Sequence, residues 1–179
     1  MKLIRRFRKW LSRLTSEGLY ARVKGRELLD HEAREEILSM LKREPGLCFQ
    51  EIQDRIGLAP GTTRWHLDKL ASSDFVTSDE DGRHTRFFPT GLDAGTRKAV
   101  VAMRDESRLA LVRMIERNPE LSQSDLAEAT GLAQSTVSHH LGRLVEDGIV
   151  DKHRDGRSVR YAIEDEMTKP VRQAKRYVL

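Results

Sequence analysis

Hydrogen-bonding side chains recur at short spacing in the stretch GLAQSTVSHHLGRLVEDGIV, residues 131–150. The same stretch carries Val137, Leu141 and Leu144 at helical spacing, which predicts a helix held to a core on one side. The polar residues then fall on the side that faces away from that core. Their side chains can form hydrogen bonds with uncharged polar groups or, in the case of arginine, neutralise an anion. They are Gln134, Ser135, Ser138, His139 and Arg143.

A second stretch, GLAPGTTRWHLDKLASSDFV at residues 57–76, repeats this frame 74 positions earlier. Residues 32–86 align with residues 106–160 without a gap, and 18 of the 55 pairs are identical, which indicates a duplication. The polar strip differs between the copies. In the first copy it becomes cationic and aromatic, with Asp68 a turn further on, and its candidate contact residues are Arg64, Trp65 and Lys69.

The elements around each strip form a recognisable order. A first helix stops at Glu44-Pro45 and, in the second copy, at Asn118-Pro119. A second helix runs from Ser122, a capping residue, to the breaker Gly131, and a short turn leads into the strip helix. Alternating apolar and polar residues then surround an Asp-Gly pair, which is typical of a β-hairpin. The fold class predicted is mainly α with small β-hairpins (α+β), with tandem winged helix-turn-helix domains.

The repeat also divides the chain into segments. We predict a basic amphipathic N-terminal helix or arm at 1–30, a first winged-helix domain at 31–92, a linker or helix extension at 93–104, a second winged-helix domain at 105–165 and a basic C-terminal tail at 166–179.

Basic residues recur in both hairpins, which are the predicted wings. An α-helix fits the major groove of double-stranded DNA, and arginine or lysine at its periphery neutralises phosphates. The partner predicted is therefore double-stranded DNA, with the two strip helices reading bases and the wings reaching the backbone. The wing candidates are Lys152, Arg154, Arg157 and Arg160 in the second copy, and Arg83 and Arg86 in the first.

The stretch TGLAQSTVSHHLGRLVEDGIV, followed by RDGRSVRYAI, resembles the winged helix of ArsR-like transcriptional regulators. Together with PGLCFQEIQDRIGLAPGTTRWHLDKL and GRHTRFFP, the chain is similar to archaeal regulators that contain two helix-turn-helix domains. The resemblance spans about residues 19–165 and implies DNA binding and transcription regulation. The metal-binding cysteines of arsenical sensors have no counterpart, so no metal site and no cofactor are expected.

Composition limits the functional classes to which the chain can belong. The net charge is +4, and the basic excess lies at the two ends of the chain, outside the slightly acidic repeats. The single cysteine and the absence of long apolar runs favour the cytoplasm. No phosphate loop, nucleophile elbow or paired-carboxylate motif is present, so we do not expect an enzyme. His66 and His140 share one repeat position and are interpreted as partly buried helix residues.

Several alternatives stay open at this point. The chain could be an architectural, chromatin-like protein with low sequence specificity, or a winged-helix adaptor that binds proteins through Trp65. A second copy of the chain is one candidate partner. Residues 1–16 segregate apolar from basic side chains, which suits packing on the protein itself, a partner helix, a membrane surface or an arm on DNA.

Overall fold

The structure, a computed structural model, describes residues 32–82, 84–119, 121–156 and 158–178. Within these residues one order of elements occurs twice: a helix, a short strand, two helices and a two-stranded hairpin. The predicted α+β class of winged helices is confirmed. The candidate arm at 1–30, including residues 1–16, lies outside the described residues.

The first winged-helix unit is built from three helices around a small sheet. Its strands pair antiparallel in the order β1-β3-β2. Ile37, Ile52 and Leu67 are among the residues that close its core, each at most 2% exposed. The elements are α1 (Glu32–Arg43), β1 (Leu47–Cys48), α2 (Phe49–Ile56), α3 (Pro60–Ser72), β2 (Val76–Glu80) and β3 (Thr85–Pro89).

The second winged-helix unit repeats this arrangement, with strands in the order β4-β6-β5. Its core includes Leu111, Leu126 and Leu144, all fully buried. The elements are α5 (Glu106–Arg117), β4 (Leu121–Ser122), α6 (Gln123–Thr130), α7 (Gln134–Glu146), β5 (Val150–Asp155) and β6 (Ser158–Ile163).

Local chemistry sets the ends of the helices. Gly57 ends α2 and Gly131 ends α6, both with left-handed backbone angles (φ of 70° and 71°) that favour glycine. Ser122 and Asp125 begin α6 with a reciprocal capping box, as the sequence predicted. In the first unit Cys48 occupies the cap position, and its N–H donates to Glu51 Oε2 at 2.7 Å.

Each unit is followed by a further helix. Residues 94–103 form α4 (Ala94–Met103), and a 3₁₀ turn (Asp165–Met167) leads into α8 (Thr168–Val178). The description of residues 166–179 as a tail is therefore wrong for α8. Its Val171 and Ala174 are at most 1% exposed and belong to the core of the second unit. The apolar face of this short segment is stabilised by packing against the rest of the protein.

Candidate DNA interface

Helix α7 presents a polar strip above a buried apolar face. Val137, Leu141 and Leu144 are at most 1% exposed, because they insert into the core of the second unit. All five candidate residues of the strip are exposed: Gln134, Ser135, Ser138, His139 and Arg143. The helix can therefore approach a ligand through this strip without any loss of core packing. Its width and polarity suit base edges in a major groove.

The side chains of this strip form few bonds with other residues of the protein. Gln123 Nε2 lies 3.3 Å from both the backbone oxygen and Oε1 of Gln134, which orients that side chain at the start of α7. Arg143 pairs with Glu146 at 3.2 Å, but the two side chains are 57% and 67% exposed. Exposed ion pairs of this kind contribute little, so Arg143 can exchange its partner for a phosphate.

Two histidines behind the strips are structural. His66 is 1% exposed within the first unit, and the His140 side chain is 17% exposed. His140 Nδ1 lies 3.8 Å from the Oδ1 atom of Asp105, the residue that caps α5. The interpretation of both as partly buried helix residues is confirmed.

The second wing carries two exposed cations on one strand. Lys152 and Arg154 on β5 are both exposed, and because they are two positions apart they lie on the same face of the hairpin. They face Tyr161 and Val159 of β6 in the antiparallel register. Arg157 and Arg83, the remaining wing candidates, lie outside the described residues.

The equivalent strip on α3 is larger and more aromatic. Arg64, Trp65 and Lys69 are exposed, and Trp65, at 48%, is the large hydrophobic side chain most open to solvent in the described part of the chain. The Cζ of Arg34 lies 5.6 Å from the centre of the indole ring, and Lys69 Nζ lies 5.8 Å from it. Both distances permit cation–π attraction. The strip therefore forms a basic patch around one aromatic anchor.

The structure assigns a different role to Arg86 from the DNA contact that the sequence predicted. Its side chain is 18% exposed and bonds three groups inside the first unit. The Nε atom donates to Asp81 at 2.6 Å, while Nη1 lies 3.2 Å from Glu51 and 3.3 Å from the backbone oxygen of Gly46. These bonds attach the wing to the start of α2. Arg86 thus stabilises the fold, because its Nε and Nη1 donors are engaged within the first unit.

Glu51 is the centre of this network. Arg104, after the end of α4, also donates to it, so a single carboxylate connects α2, the wing and the helix that follows the unit. Burial raises the pKa of Glu51, but the Cys48 N–H and the positive charges of Arg104 and Arg86 outweigh burial and leave this pKa below its usual value. The carboxylate is therefore held in its charged form.

The second unit repeats the arrangement at Arg160. This residue is half-buried on β6, opposite Ser122 of β4. Bonds from the Ser122 hydroxyl and N–H lower the pKa of Asp125, and the charge of Arg160 lowers it further. Arg86 and Arg160 thus occupy equivalent places, opposite the short strands that lead into α2 and α6. Each lies near the acid in the first turn of that helix, Glu51 or Asp125. This pairing was missed in the sequence, although Glu51 and Asp125 also occupy equivalent positions.

In the described part of the chain, no group of three or more His, Cys, Asp or Glu residues could hold a metal ion. No helix in that part is long and apolar enough to cross a membrane.

Two family comparisons match separate halves of the chain. Residues 104–151 match the family described as winged helix-turn-helix DNA-binding, which covers α5 to the start of the second wing. Residues 31–100 match a family described as an N-terminal HTH domain, which covers the first unit and most of α4.

Individual relatives are bacterial regulators. The HTH-type transcriptional regulator NmtR of Mycobacterium tuberculosis is 38% identical over 87 residues, which cover 48% of this chain and 72% of NmtR. The HTH-type transcriptional regulator YgaV of Escherichia coli is 35% identical over 65 residues, covering 36% of this chain and 66% of YgaV. Overall the chain spans between half and two thirds of the length of the first curated relatives it matches.

Solved structures give similar matches over part of the chain. Reduced HlyU from Vibrio cholerae is 30% identical, with a TM-score of 0.40, over 46% of this chain and 83% of that one. The DNA-binding domain of Mb0332 from Mycobacterium bovis, described as homodimeric and as a possible ArsR-family regulator, is 25% identical with a TM-score of 0.39 and covers 45% and 72% of the two chains. Because the match to NmtR is 38% identical and covers 72% of that protein, the chain belongs to the ArsR-like family of winged helix-turn-helix transcriptional regulators.

Proposed function

We propose that this protein regulates transcription in the cytoplasm by binding double-stranded DNA, and that α7 of the second unit carries most of the base discrimination. The observation that carries the proposal is the strip on α7, where five exposed polar residues lie over three that are fully buried. Ser138 and His139 lie in its middle and are small enough to approach base edges. The amide of Gln134 and the guanidinium of Arg143 add contacts at its two ends.

Phosphate contacts come from the wings and the first unit. The second wing supplies the exposed Lys152 and Arg154, and the first unit supplies Arg64 and Lys69 on α3. We add Arg157 and Arg83 to this set from the sequence. Arg86 is left out of this set because its side chain is bonded within the first unit, and Arg160 is left out because it is half-buried and its charge acts on Asp125. Such contacts strengthen binding to any sequence and make it depend on salt.

A protein-binding adaptor is the second candidate, and the exposed Trp65 favours it. Tryptophan and arginine are both enriched among the residues that dominate protein interfaces. Asp68, exposed on the same helix, would repel phosphates and so reduces the fit of α3 to DNA. On this account the first unit adds affinity to the complex but little discrimination.

Selection from random duplexes, followed by competition binding, tests the proposal. We expect the selected duplex to bind at least about a thousandfold more tightly than random DNA at physiological salt, as in specific regulators. A ratio below about ten would instead support an architectural protein. Failure to bind any duplex at low salt would reject DNA binding and support the adaptor.

A further inference from the structure

The two helices outside the winged-helix units are equivalent members of the repeat. Adding the offset of 74 to the bounds of α4 (Ala94–Met103) gives residues 168–177, which lie within α8 (Thr168–Val178). Their sequences, AGTRKAVVAM and TKPVRQAKRY, retain almost no identity, so the alignment of the repeat does not include them. The duplicated element is therefore a winged helix with one additional C-terminal helix.

These two equivalent helices pack side by side and parallel. Near their starts, a Cβ atom at Gly95 would lie only 2.9 Å from Cγ of Pro170, so glycine permits the close approach. At the next residue of α4, Thr96 Oγ1 lies 2.8 Å from Oε1 of Gln173, which is about one turn beyond Pro170 on α8. Near their ends, Met103 of α4 lines one groove with Tyr177 of α8. Since start meets start and end meets end, the contact runs along both helices.

Helix α4 is attached to the first unit by charge and packing. Arg97 bonds both carboxylate oxygens of Asp79 on the first wing, at 2.7 and 3.3 Å. At the other end of the region, Arg104 pairs with Glu51 of α2. Between them, the fully buried Phe88 of β3 packs in one cluster with α4.

Helix α8 is attached to the second unit in the same way. Lys175 pairs with Glu116 of α5, and Val171 and Ala174 are buried in the core of this unit. Each helix thus belongs to its own unit, and the contact between them joins the units. The cluster that contains Phe88, Ala99 and Val171 continues from one unit into the other.

In a symmetric dimer, two identical subunits join through equivalent elements, and their DNA site contains two copies of one half-site. Here equivalent elements join within a single chain, but the strips are different. Arg64, Trp65 and Lys69 of α3 occupy the positions of Ser138, His139 and Arg143 of α7. Identical half-sites would not suit both strips.

We propose that one chain of this protein acts as an internal dimer and binds, without a second copy, a duplex site composed of two unlike half-sites. This inference rests on the proposed DNA binding. The contact between α4 and α8 takes the place of a subunit interface. Discrimination is stronger over the half-site that α7 reads, whereas the half-site under α3 is shorter or more degenerate.

Stoichiometry gives the first test. In sedimentation equilibrium the protein should have the mass of one chain, 20.5 kDa, and the complex with a selected duplex should contain one chain per duplex. Two chains per duplex would overturn the internal dimer while leaving DNA binding intact. Absence of any complex at low salt would instead reject the proposed function.

The symmetry of the DNA site gives the second test. Each half of the selected duplex is replaced by an inverted copy of the other, which produces two palindromes. The palindrome made from the half-site of α3 should bind at least about tenfold more weakly than the selected duplex, because base contacts by α7 are lost. Selection of a palindromic sequence, or full affinity for both palindromes, would overturn the proposal.

The helix contact gives the third test. Gly95→Leu should force α4 away from Pro170, whereas Ala94→Leu adds the same side chain at the neighbouring exposed position. Linking two binding sites in one chain raises affinity by an amount that depends on the length and stiffness of the connection. Because Gly95→Leu keeps the covalent link but loosens the helix contact, it should bind the complete site several-fold more weakly than Ala94→Leu does, and bind an isolated half-site normally. Unchanged binding of the complete site would contradict the proposal. If Gly95→Leu does not fold, the number of chains bound per duplex tests the proposal instead.

Discussion

Helices α3 and α7 occupy equivalent positions in the two units and differ mainly on the side that faces solvent. Their buried frames match, since Leu67 and Leu70 on α3 correspond to Leu141 and Leu144 on α7, and all four are at most 2% exposed. Their exposed strips share little beyond one basic residue. After the duplication, packing thus constrained the inner face, whereas the outer face was free to acquire a different ligand preference.

The largest effect on stability should come from substituting the buried leucines that α3 and α7 have in common. We expect Leu67→Ala and Leu141→Ala each to lower the free energy of unfolding by about 2–5 kcal/mol, because each leaves a cavity in a packed core. Chemical denaturation monitored by circular dichroism measures both. If one substitution costs less than about 1 kcal/mol, the two helices are not held by equivalent cores.

A smaller effect should separate the two wing arginines. Arg86→Ala should lower the free energy of unfolding by about 1–2 kcal/mol, because the half-buried Glu51 and Asp81 lose a charged donor. Arg160→Ala should cost less, since the Asp125 side chain is exposed and keeps its bonds to Ser122. Equal losses in the denaturation curves would show that both wings depend on the arginine to the same degree.

The charge on Glu51 adds a pH dependence to the stability of the first unit. Because its pKa is lowered in the folded state, the stabilisation is complete above the ordinary value of 4.5 and is lost as the pH falls through the folded value. Urea titrations between pH 3 and 6 should therefore show a shallower acid loss in Glu51→Gln than in the original protein. Glu36→Gln, on the exposed side of α1, is the control. If Glu51→Gln loses as much stability between pH 6 and 3 as the original protein, Glu51 does not contribute to this pH dependence.

Two positions on the second wing should differ in their effect on DNA binding. Arg154→Ala should weaken binding to all duplexes similarly and reduce the slope of log affinity against log salt by up to about one unit, because one phosphate contact is lost. Arg160→Ala is the matched control, since it removes the same charge from a half-buried position on the same wing. Fluorescence anisotropy at several salt concentrations measures the slope. A smaller slope in Arg160→Ala only would restore the original assignment of Arg160 to DNA.

The frame of α7 could be predicted from the sequence because it depends on local periodicity. Val137, Leu141 and Leu144 recur at helical spacing, so the buried side of α7 can be identified without knowledge of the elements that pack against it. The Asp-Gly pairs identified the hairpins for a similar reason, since a tight turn depends on the residues within it.

Features that depend on distant residues could not be predicted in this way. The segment TKPVRQAKRYV is rich in charge and resembles a solvated tail, because its packing partner α4 lies far earlier in the chain. Similarly, nothing near Arg86 in the sequence indicates that it bonds Glu51, which lies 35 positions earlier. An arginine in a wing suits DNA and an internal ion pair equally well until its neighbours are known.

On this proposal α7 carries most of the base discrimination and α3 carries little, and one ratio of affinities tests this division most directly. The ratio of affinity for a selected duplex to affinity for random DNA is determined for Trp65→Ala and for the double variant Ser138→Ala with His139→Ala. The double variant should lower this ratio by about tenfold or more, because it removes base contacts worth about 1–3 kcal/mol each. Trp65→Ala should leave the ratio nearly intact. Loss of discrimination in Trp65→Ala, with the ratio preserved in the double variant, would contradict the account.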